Sequence, residues 1–192
     1  FGELPIDRIS EFSKIEFQQM VLKTVPINLQ ERFSLVIPIA ILFAEKYQVD
    51  PFWVMSVMWT ESHFDQFATS KVDAKGLMQI LPGTGHYITK KFGKKVSKKT
   101  IYKLINQPVV NIEFGTYYLK RLLKSFNGNY SLATMAYNMG PTGVRNRLRK
   151  NLPVGVNNLY LNKVRRAYGK ISRPFRQKVE NTSRPYEVTF VV

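Results

Sequence analysis

Apolar positions recur at helical spacing along much of the chain and favour an all-α fold. From Leu29 onward, apolar side chains return every three or four residues and stop at Gln48. This stretch carries Phe33, Val36, Ile37, Ala40, Ile41 and Ala44. Pro38 lies inside it and is expected to kink or restart the helix, because proline lacks a backbone N–H donor.

A second helix is predicted to begin at Asp50 and Pro51, an N-cap residue followed by a proline that fits the first helical position. Val54, Val57 and Met58 share a face of this helix with Glu61. A carboxyl group among apolar neighbours near the negative end of a helix has a raised pKa, so it can stay protonated and donate a proton. On spacing alone, the alternative that Glu61 ends a helix with its carboxylate in solvent is equally favoured.

The remaining pattern predicts helices on both sides of this segment. Residues 1–26 are expected to form an N-terminal helix with Ile9, Phe12 and Ile15 on one face. Helices are also predicted over 111–126, over 131–138 with Ser131 as the cap, and around 159–168. After residue 169, two Arg-Pro pairs favour extended chain, and residues 186–192 alternate enough for an edge strand. The predicted organisation is a helical extension (1–30), a catalytic domain (31–169) and an extended basic tail (170–192).

The charge of the chain is strongly positive, with 29 Lys and Arg against 13 Asp and Glu and a formal net charge of +16. Such a field attracts polyanions, which include nucleic acid, anionic lipid surfaces and the cell wall. Seven lysines fall between Lys90 and Lys103. A solvated face is the usual reason for such a run, and contact with an anionic partner is the alternative.

Composition excludes several classes of site. Cysteine is absent and there are two histidines, so neither a disulfide framework nor a zinc site is predicted, and no cofactor is expected. The longest apolar run, 35–44, is about ten residues against the ~20 that cross a bilayer, so no transmembrane segment is predicted. The sequence begins at Phe1 without a signal peptide, and the expectation is that a leader has been removed.

Four motifs occur in order after the predicted Glu61 helix. They are Glu61-Ser62, then Ser70, then Gly76-Leu77-Met78-Gln79-Ile80 with Pro82-Gly83-Thr84, and finally Ala136-Tyr137-Asn138-Met139-Gly140-Pro141. Together they resemble the signature of the soluble lytic transglycosylases, lysozyme-like enzymes related to goose-type lysozyme. The resemblance covers residues 48–147, about half of the chain.

This resemblance implies an all-α lysozyme-like domain that cleaves peptidoglycan between muramic acid and glucosamine units. Glu61 would protonate the glycosidic oxygen and then take a proton from the muramyl six-position hydroxyl, which leaves a 1,6-anhydro end. The residues that would bind substrate are Ser70, Gly76, Met78, Gln79, Tyr137 and Asn138. A monomer in the periplasm or outside the cell is expected, with peptidoglycan strands as partner and no nucleic acid.

The pattern also departs from the family and leaves alternatives open. Family members commonly carry a Glu-Thr-Arg-x-Tyr type segment, whose nearest match here is residues 156–160, without the acidic residue. A modified glycan lacking N-acetyl groups is therefore an alternative substrate. Asp73 would be the water-activating base of a hydrolytic lysozyme, although a plain loop role is favoured for it. A non-catalytic wall-binding or nucleic-acid-binding module is the third possibility.

Overall fold

The computed structural model describes residues 6–155 and 158–183 of the chain. Within this part, a 3₁₀ helix (Ile6–Glu11) precedes nine α-helices. These are α1 (Lys14–Leu22), α2 (Ile27–Tyr47), α3 (Pro51–Ser62), α4 (Pro82–Lys91), α5 (Lys98–Ile105), α6 (Pro108–Ser125), α7 (Tyr130–Met139), α8 (Pro141–Arg149) and α9 (Leu159–Ser183). The prediction of an all-α fold is confirmed.

Helix α3 lies at the centre of the hydrophobic core. Its first eight residues, 51–58, are all buried, and it packs most extensively against α9 and also against α2. The Asp50 carboxylate accepts hydrogen bonds from the backbone N–H groups of Phe52 and Trp53, as the predicted N-cap requires. Tyr168 of α9 donates to the other oxygen of this buried carboxylate. The start of α3 is therefore fixed both by its own cap and by the helix packed on it.

Helix α2 runs through Pro38 as one element, so the helix does not restart there, which was one of the two predicted effects of this proline. Pro38 has no N–H to bond the carbonyl of Ser34, four residues earlier. The side-chain amide of Gln18 on α1 donates to that carbonyl at 3.1 Å. A neighbouring helix thus supplies the donor that proline removes.

By length and composition alone, α2 is long and apolar enough to cross a membrane. The sequence criterion missed this because charged and polar residues interrupt the apolar run. Its buried residues, including Phe33 and Ile37, belong to the hydrophobic core. A core helix meets the same criterion, so the length of α2 does not distinguish the two roles.

The N-terminal segment divides into the 3₁₀ helix and α1, where a single helix was predicted. Ser13 starts α1 with a capping box, in which its hydroxyl accepts from the N–H of Glu16 and the Glu16 carboxylate accepts from the N–H of Ser13. Phe17 and Val21 are the buried residues of this helix, whereas Ile15 is 68% exposed. The prediction that Ile15 faces the core was therefore wrong.

Helix α9 continues to Ser183, so the prediction of an extended chain from residue 170 was wrong for 170–183. Ile171, Phe175 and Val179 recur every four residues and are buried. The Phe175 ring lies 5.2 Å from that of Phe52 on α3, between centroids. The predicted boundaries at 30 and 169 accordingly fall inside α2 and α9. The predicted edge strand, 186–192, lies outside the described residues.

Helices α6 and α7 follow the predicted pattern closely. Helix α6 begins three residues before the predicted 111–126 segment, at Pro108, and ends one residue before its end, at Ser125. Helix α7 begins at Tyr130, where the side-chain oxygen of Asn129 accepts from the N–H of Leu132. Asn129 is therefore the cap in place of the predicted Ser131.

Candidate active site

Glu61 lies in the last turn of α3, where the core gives way to solvent. Val54, Val57 and Met58, the three apolar residues predicted to share its face, are completely buried. Helix α3 ends one residue after Glu61, and His63 takes a left-handed conformation with φ of 52°. The carboxyl group is thus held on a rigid element and is half-buried at the surface.

Tyr160, in the first turn of α9, donates a hydrogen bond from its phenol oxygen to Glu61 Oε1 at 2.6 Å. Burial raises the pKa of Glu61, and the hydrogen bond from Tyr160 opposes that rise by favouring the ionised form. Burial also raises the pKa of Tyr160 well above its ordinary value. The phenol therefore stays protonated and remains a donor while the carboxyl group beside it gains or loses a proton.

Tyr137 on α7 lies beside this pair without bonding the carboxyl group. Its phenol donates to the backbone carbonyl of Met78 at 2.7 Å. The pKa of Tyr137 lies well above its ordinary value, mainly because the phenol is buried and secondly because of the charge of Glu61. Tyr137 thus anchors the loop that carries Met78, whereas Tyr160 is the tyrosine that bonds Glu61.

A cavity of about 570 Å³ opens beside Glu61 between α3, the end of α7, α8 and the start of α9. Its walls include Thr60, Glu61, Met135, Asn138, Met139, Arg147, Val154, Tyr160 and Lys163. Glu61 is the one acidic side chain among the described residues that line it, and Arg147 and Lys163 are cationic. The cavity therefore combines one carboxyl group of raised pKa with two cationic side chains.

The loop between α3 and α4 holds four of the predicted substrate residues: Ser70, Gly76, Met78 and Gln79. Isolated antiparallel bridges join Thr69 to Lys75 and Lys75 to Ile80. The Ser70 hydroxyl accepts from the N–H groups of Val72 and Ala74, so it closes a turn inside the loop.

Gln79 has a positive φ of 49°, and its side-chain amide donates to the carbonyls of Ala68 and Gly76. Its contacts, like those of Ser70, lie within the loop. Neither residue is among those that line the cavity beside Glu61, whereas the predicted Asn138 is.

The Asn111 side chain on α6 holds the middle of the loop between α3 and α4 by hydrogen bonds. Its side chain accepts from the N–H of Met78 at 2.7 Å and donates to the carbonyls of Lys75 and Ile105. A Cβ added at Gly76, where φ is +73°, would meet Asn111 Nδ2 at 2.6 Å. The absence of a side chain at Gly76 therefore leaves room for Asn111.

The Met78 side chain is completely buried and lies against Gly115 of α6. Leu77 and Ile80 are buried as well, so all three apolar side chains of this motif belong to the core. The part of Met78 that reaches the site is its backbone carbonyl, which accepts from Tyr137.

Asp73 forms an ion pair with Lys75 at 2.7 Å and accepts a hydrogen bond from the phenol of Tyr102. These two contacts hold the pKa of Asp73 below its usual range. Its partners belong to the loop and to α5, and they do not overlap with the residues around Glu61. Within residues 6–155 and 158–183, no group of three or more His, Asp or Glu side chains is placed to hold a metal ion.

Sequence reasoning missed Tyr160, Arg147 and Lys163. Tyr160 closes the segment that was considered for its missing acidic residue, and the tyrosine in it was not assigned a role. A signal was present, because Tyr160 occupies the tyrosine position of the Glu-Thr-Arg-x-Tyr type segment. Arg147 and Lys163 give no such signal in a chain with 29 basic residues.

The helical fold and the glutamate site define a lysozyme-like domain, and comparison with known proteins is consistent with this class. The family model described as the transglycosylase SLT domain matches residues 39–158, more than half of the chain. The chain belongs to this family.

Among curated relatives, the membrane-bound lytic murein transglycosylase C of Yersinia enterocolitica is 35% identical over 116 residues, which is 60% of this chain and 32% of the relative. The protein of the same name from Yersinia pestis is 32% identical over 149 residues, or 72% of this chain and 41% of the relative. The chain therefore spans well under half the length of these relatives.

Two solved structures resemble the chain in fold. The 70 kDa soluble lytic transglycosylase of Escherichia coli has a TM-score of 0.61 and 25% identity, over 71% of this chain and 24% of that one. An inactive mutant of the lytic transglycosylase Slt from Pseudomonas aeruginosa has a TM-score of 0.60 and 27% identity, over 73% and 24% of the two chains. The chain thus belongs to the transglycosylase SLT domain family and shares the fold of these lytic transglycosylases.

Proposed function

We propose that the chain cleaves the β-1,4 bond between N-acetylmuramic acid and N-acetylglucosamine in peptidoglycan without using water, and that Glu61 is the catalytic residue. The observation that carries the proposal is the Glu61–Tyr160 hydrogen bond at the wall of a cavity large enough for a sugar unit. The substitution of glutamine for glutamate in the inactive P. aeruginosa relative supports a glutamate as the essential group.

In the first step, protonated Glu61 donates its proton to the glycosidic oxygen as the bond to the anomeric carbon breaks. The raised pKa keeps the proton available, and positive charge then develops on the sugar ring. Tyr160 stabilises the carboxylate that Glu61 has become, because a hydrogen bond to a charged acceptor is stronger than one to a neutral acceptor.

In the second step, the Glu61 carboxylate takes the proton of the muramyl six-position hydroxyl, and that oxygen closes onto the anomeric carbon. The product is a 1,6-anhydro end, and Glu61 is again protonated. The low number of carboxylates around the cavity favours this route, because hydrolysis by two carboxylates needs a second one about 5 to 9 Å from the first. Asp73, the candidate for that role, is engaged with Lys75 and Tyr102.

The test is digestion of peptidoglycan in water enriched in oxygen-18, followed by mass spectrometry of the soluble products. Anhydro-muramyl products without the heavy isotope are expected. Reducing ends that carry oxygen-18 would indicate the hydrolytic alternative, and the Asp73→Asn variant would then show whether Asp73 is its base. Glu61→Gln is expected to abolish cleavage, while Glu31→Gln, on the exposed side of α2, controls for the loss of one charge.

The same digestion with de-N-acetylated peptidoglycan decides between the ordinary and the modified glycan. A wild-type protein that leaves both substrates intact, yet binds them in a pull-down, would overturn the proposal in favour of a wall-binding module. Binding of duplex DNA that weakens steeply with salt would identify a nucleic-acid-binding module instead.

A further inference from the structure

A second cavity, of about 270 Å³, adjoins the one beside Glu61 along the seam between α3 and α9. The two share Thr60 and Lys163 in their walls. On the far side of this shared wall lie Trp59 and His63 from the end of α3, and Arg166 and Lys170 from α9. A ligand held beside Glu61 can therefore extend over Thr60 into the second cavity without leaving the protein surface.

Helix geometry explains why the cations collect there. Tyr160, Lys163, Arg166 and Lys170 follow one another at steps of three, three and four, so they lie along one side of α9. Tyr160 faces the Glu61 carboxyl group, and the three cations continue the same line away from it. A row of cationic side chains on α9 thus begins at the cavity beside Glu61 and leads away from it.

The described residues of the protein do not neutralise these cations. In the described part of the chain, no carboxylate forms an ion pair with Lys163, Arg166 or Lys170, and the described lining of the second cavity contains no acidic residue. Lys170 Nζ lies 5.7 Å from the centre of the half-buried Trp59 ring. A cavity lined by an aromatic ring and by cationic side chains is suited to bind a flexible chain that carries carboxylates.

We propose that the second cavity binds the stem peptide of the muramyl unit, through salt bridges from its carboxylates to Arg166 and Lys170. This inference rests on the proposed function, which places the muramyl unit next to Glu61. The peptide leaves that sugar from its lactyl group and carries carboxylates along its length. A strand without peptide offers a second source of the same chemistry, the free lactyl carboxylate, which is attached directly to the sugar, and peptide-free strands distinguish the two sources.

The kinetic test compares peptide-bearing strands with strands from which an amidase has removed the peptides. In the Arg166→Gln, Lys170→Gln double variant, KM for peptide-bearing strands is expected to rise about tenfold with kcat unchanged, because two exposed ion pairs are lost. On peptide-free strands the double variant is expected to match the wild type. Lys124→Gln with Arg149→Gln removes the same charge from exposed positions outside both cavities and is the matched control.

Two outcomes would overturn the inference while leaving the proposed function intact. One is an equal KM increase on both substrates, which assigns the cations to the lactyl carboxylate or to the glycan. The other is an equal effect of the control variant, which assigns the effect to net charge.

A binding measurement tests the inference without catalysis. A soluble muramyl tetrapeptide is titrated into the Glu61→Gln protein while tryptophan fluorescence is followed. The chain has two tryptophans, and Trp53 is buried with its indole N–H bonded to Thr134, so the expected change comes from Trp59. The Arg166→Gln, Lys170→Gln changes should weaken this binding about tenfold. An unchanged affinity would overturn the inference, even if the wild type proved inactive on every strand.

Discussion

Tyr160 and Glu61 are 99 positions apart in the sequence and are joined by a hydrogen bond of 2.6 Å between the phenol oxygen and Oε1. The contact links the last turn of α3 to the first turn of α9, the two helices that pack most extensively. It acts against burial, since burial favours the protonated carboxyl group and the phenol favours the carboxylate. The role proposed for Glu61, which first donates and then accepts a proton, benefits from this balance.

Replacing Tyr160 with phenylalanine should remove the balance and raise the pKa of Glu61 further. The limb of the pH–activity profile that reports loss of the Glu61 proton should move to higher pH. The rate of cleavage should fall at least about tenfold, because a hydrogen bond to a charged group contributes roughly 1.5–3 kcal/mol. The measurement is kcat/KM for a soluble glycan across the pH range.

Tyr102→Phe is the matched control for this change, since it removes a phenol that bonds the carboxylate of Asp73. It should leave the pH limb in place. A Tyr160→Phe protein whose profile superimposes on that of the wild type would show that the phenol does not act on the proton of Glu61.

The raised pKa of Glu61 also makes stability depend on pH. Because the folded pKa lies above that of the unfolded chain, the folded protein binds more protons between the two values, and the free energy of unfolding decreases as pH rises through that window. Glu61→Gln removes this loss. The difference in melting temperature between Glu61→Gln and the wild type should therefore favour the variant more at about pH 8 than at about pH 4. The lower of these pH values is close to the ordinary pKa of glutamate.

Differential scanning calorimetry at the two pH values measures this difference, and Glu31→Gln controls for the removal of an exposed negative charge. A gain for Glu61→Gln that is the same at both pH values would mean that burial of the carboxyl group carries no cost when it ionises.

The sequence predicted those features that depend on residues close together in one helix. The start of α3 follows from Asp50 and Pro51, and the raised pKa of Glu61 follows from its apolar face, which depends on spacing within one helix. Residues that meet through packing of distant helices were not predictable in this way. Tyr160 is the main example, because its partner is set by how α9 crosses α3.

The effects of Pro38 and Gly76 depend on neighbouring elements. Pro38 does not interrupt α2, because Gln18 of another helix bonds the carbonyl that it leaves free. Gly76 was predicted to bind substrate, which stays a prediction, and the side chain found against it is Asn111. In both cases the residue type indicated an unusual backbone requirement correctly, and the sequence did not reveal which partner meets it.

Gly76→Ala should destabilise the protein through two effects. The position has φ of +73°, where a Cβ costs about 1–2 kcal/mol, and the added carbon would displace Asn111 from its bonds to the loop. Gly93 has the same φ of +73° and open space around it, so Gly93→Ala measures the backbone effect alone. Urea unfolding should show the greater loss for Gly76→Ala, by roughly 1–3 kcal/mol for the disrupted hydrogen bonds.

A measurement of activity also distinguishes Gly76→Ala from Gly93→Ala. Asn111 positions Met78, whose carbonyl accepts a hydrogen bond from Tyr137. Gly76→Ala should lower kcat, and Gly93→Ala should not. Equal losses of stability in the two variants would mean that the Asn111 side chain moves aside at no cost and that the loop is held by other contacts.

Phe175 tests whether the second half of α9 belongs to the folded domain. Its ring is completely buried and lies 5.6 Å from Phe12, 6.4 Å from Phe17 and 5.2 Å from Phe52, measured between ring centroids. Phe175→Ala should lower the free energy of unfolding by about 3–5 kcal/mol, as is typical for a buried aromatic. Gln177→Ala, two residues later on the exposed side of the helix, should be nearly neutral. A neutral Phe175→Ala would show that residues 170–183 do not pack on the domain in solution, and the extended tail that the sequence predicted would then be the better description.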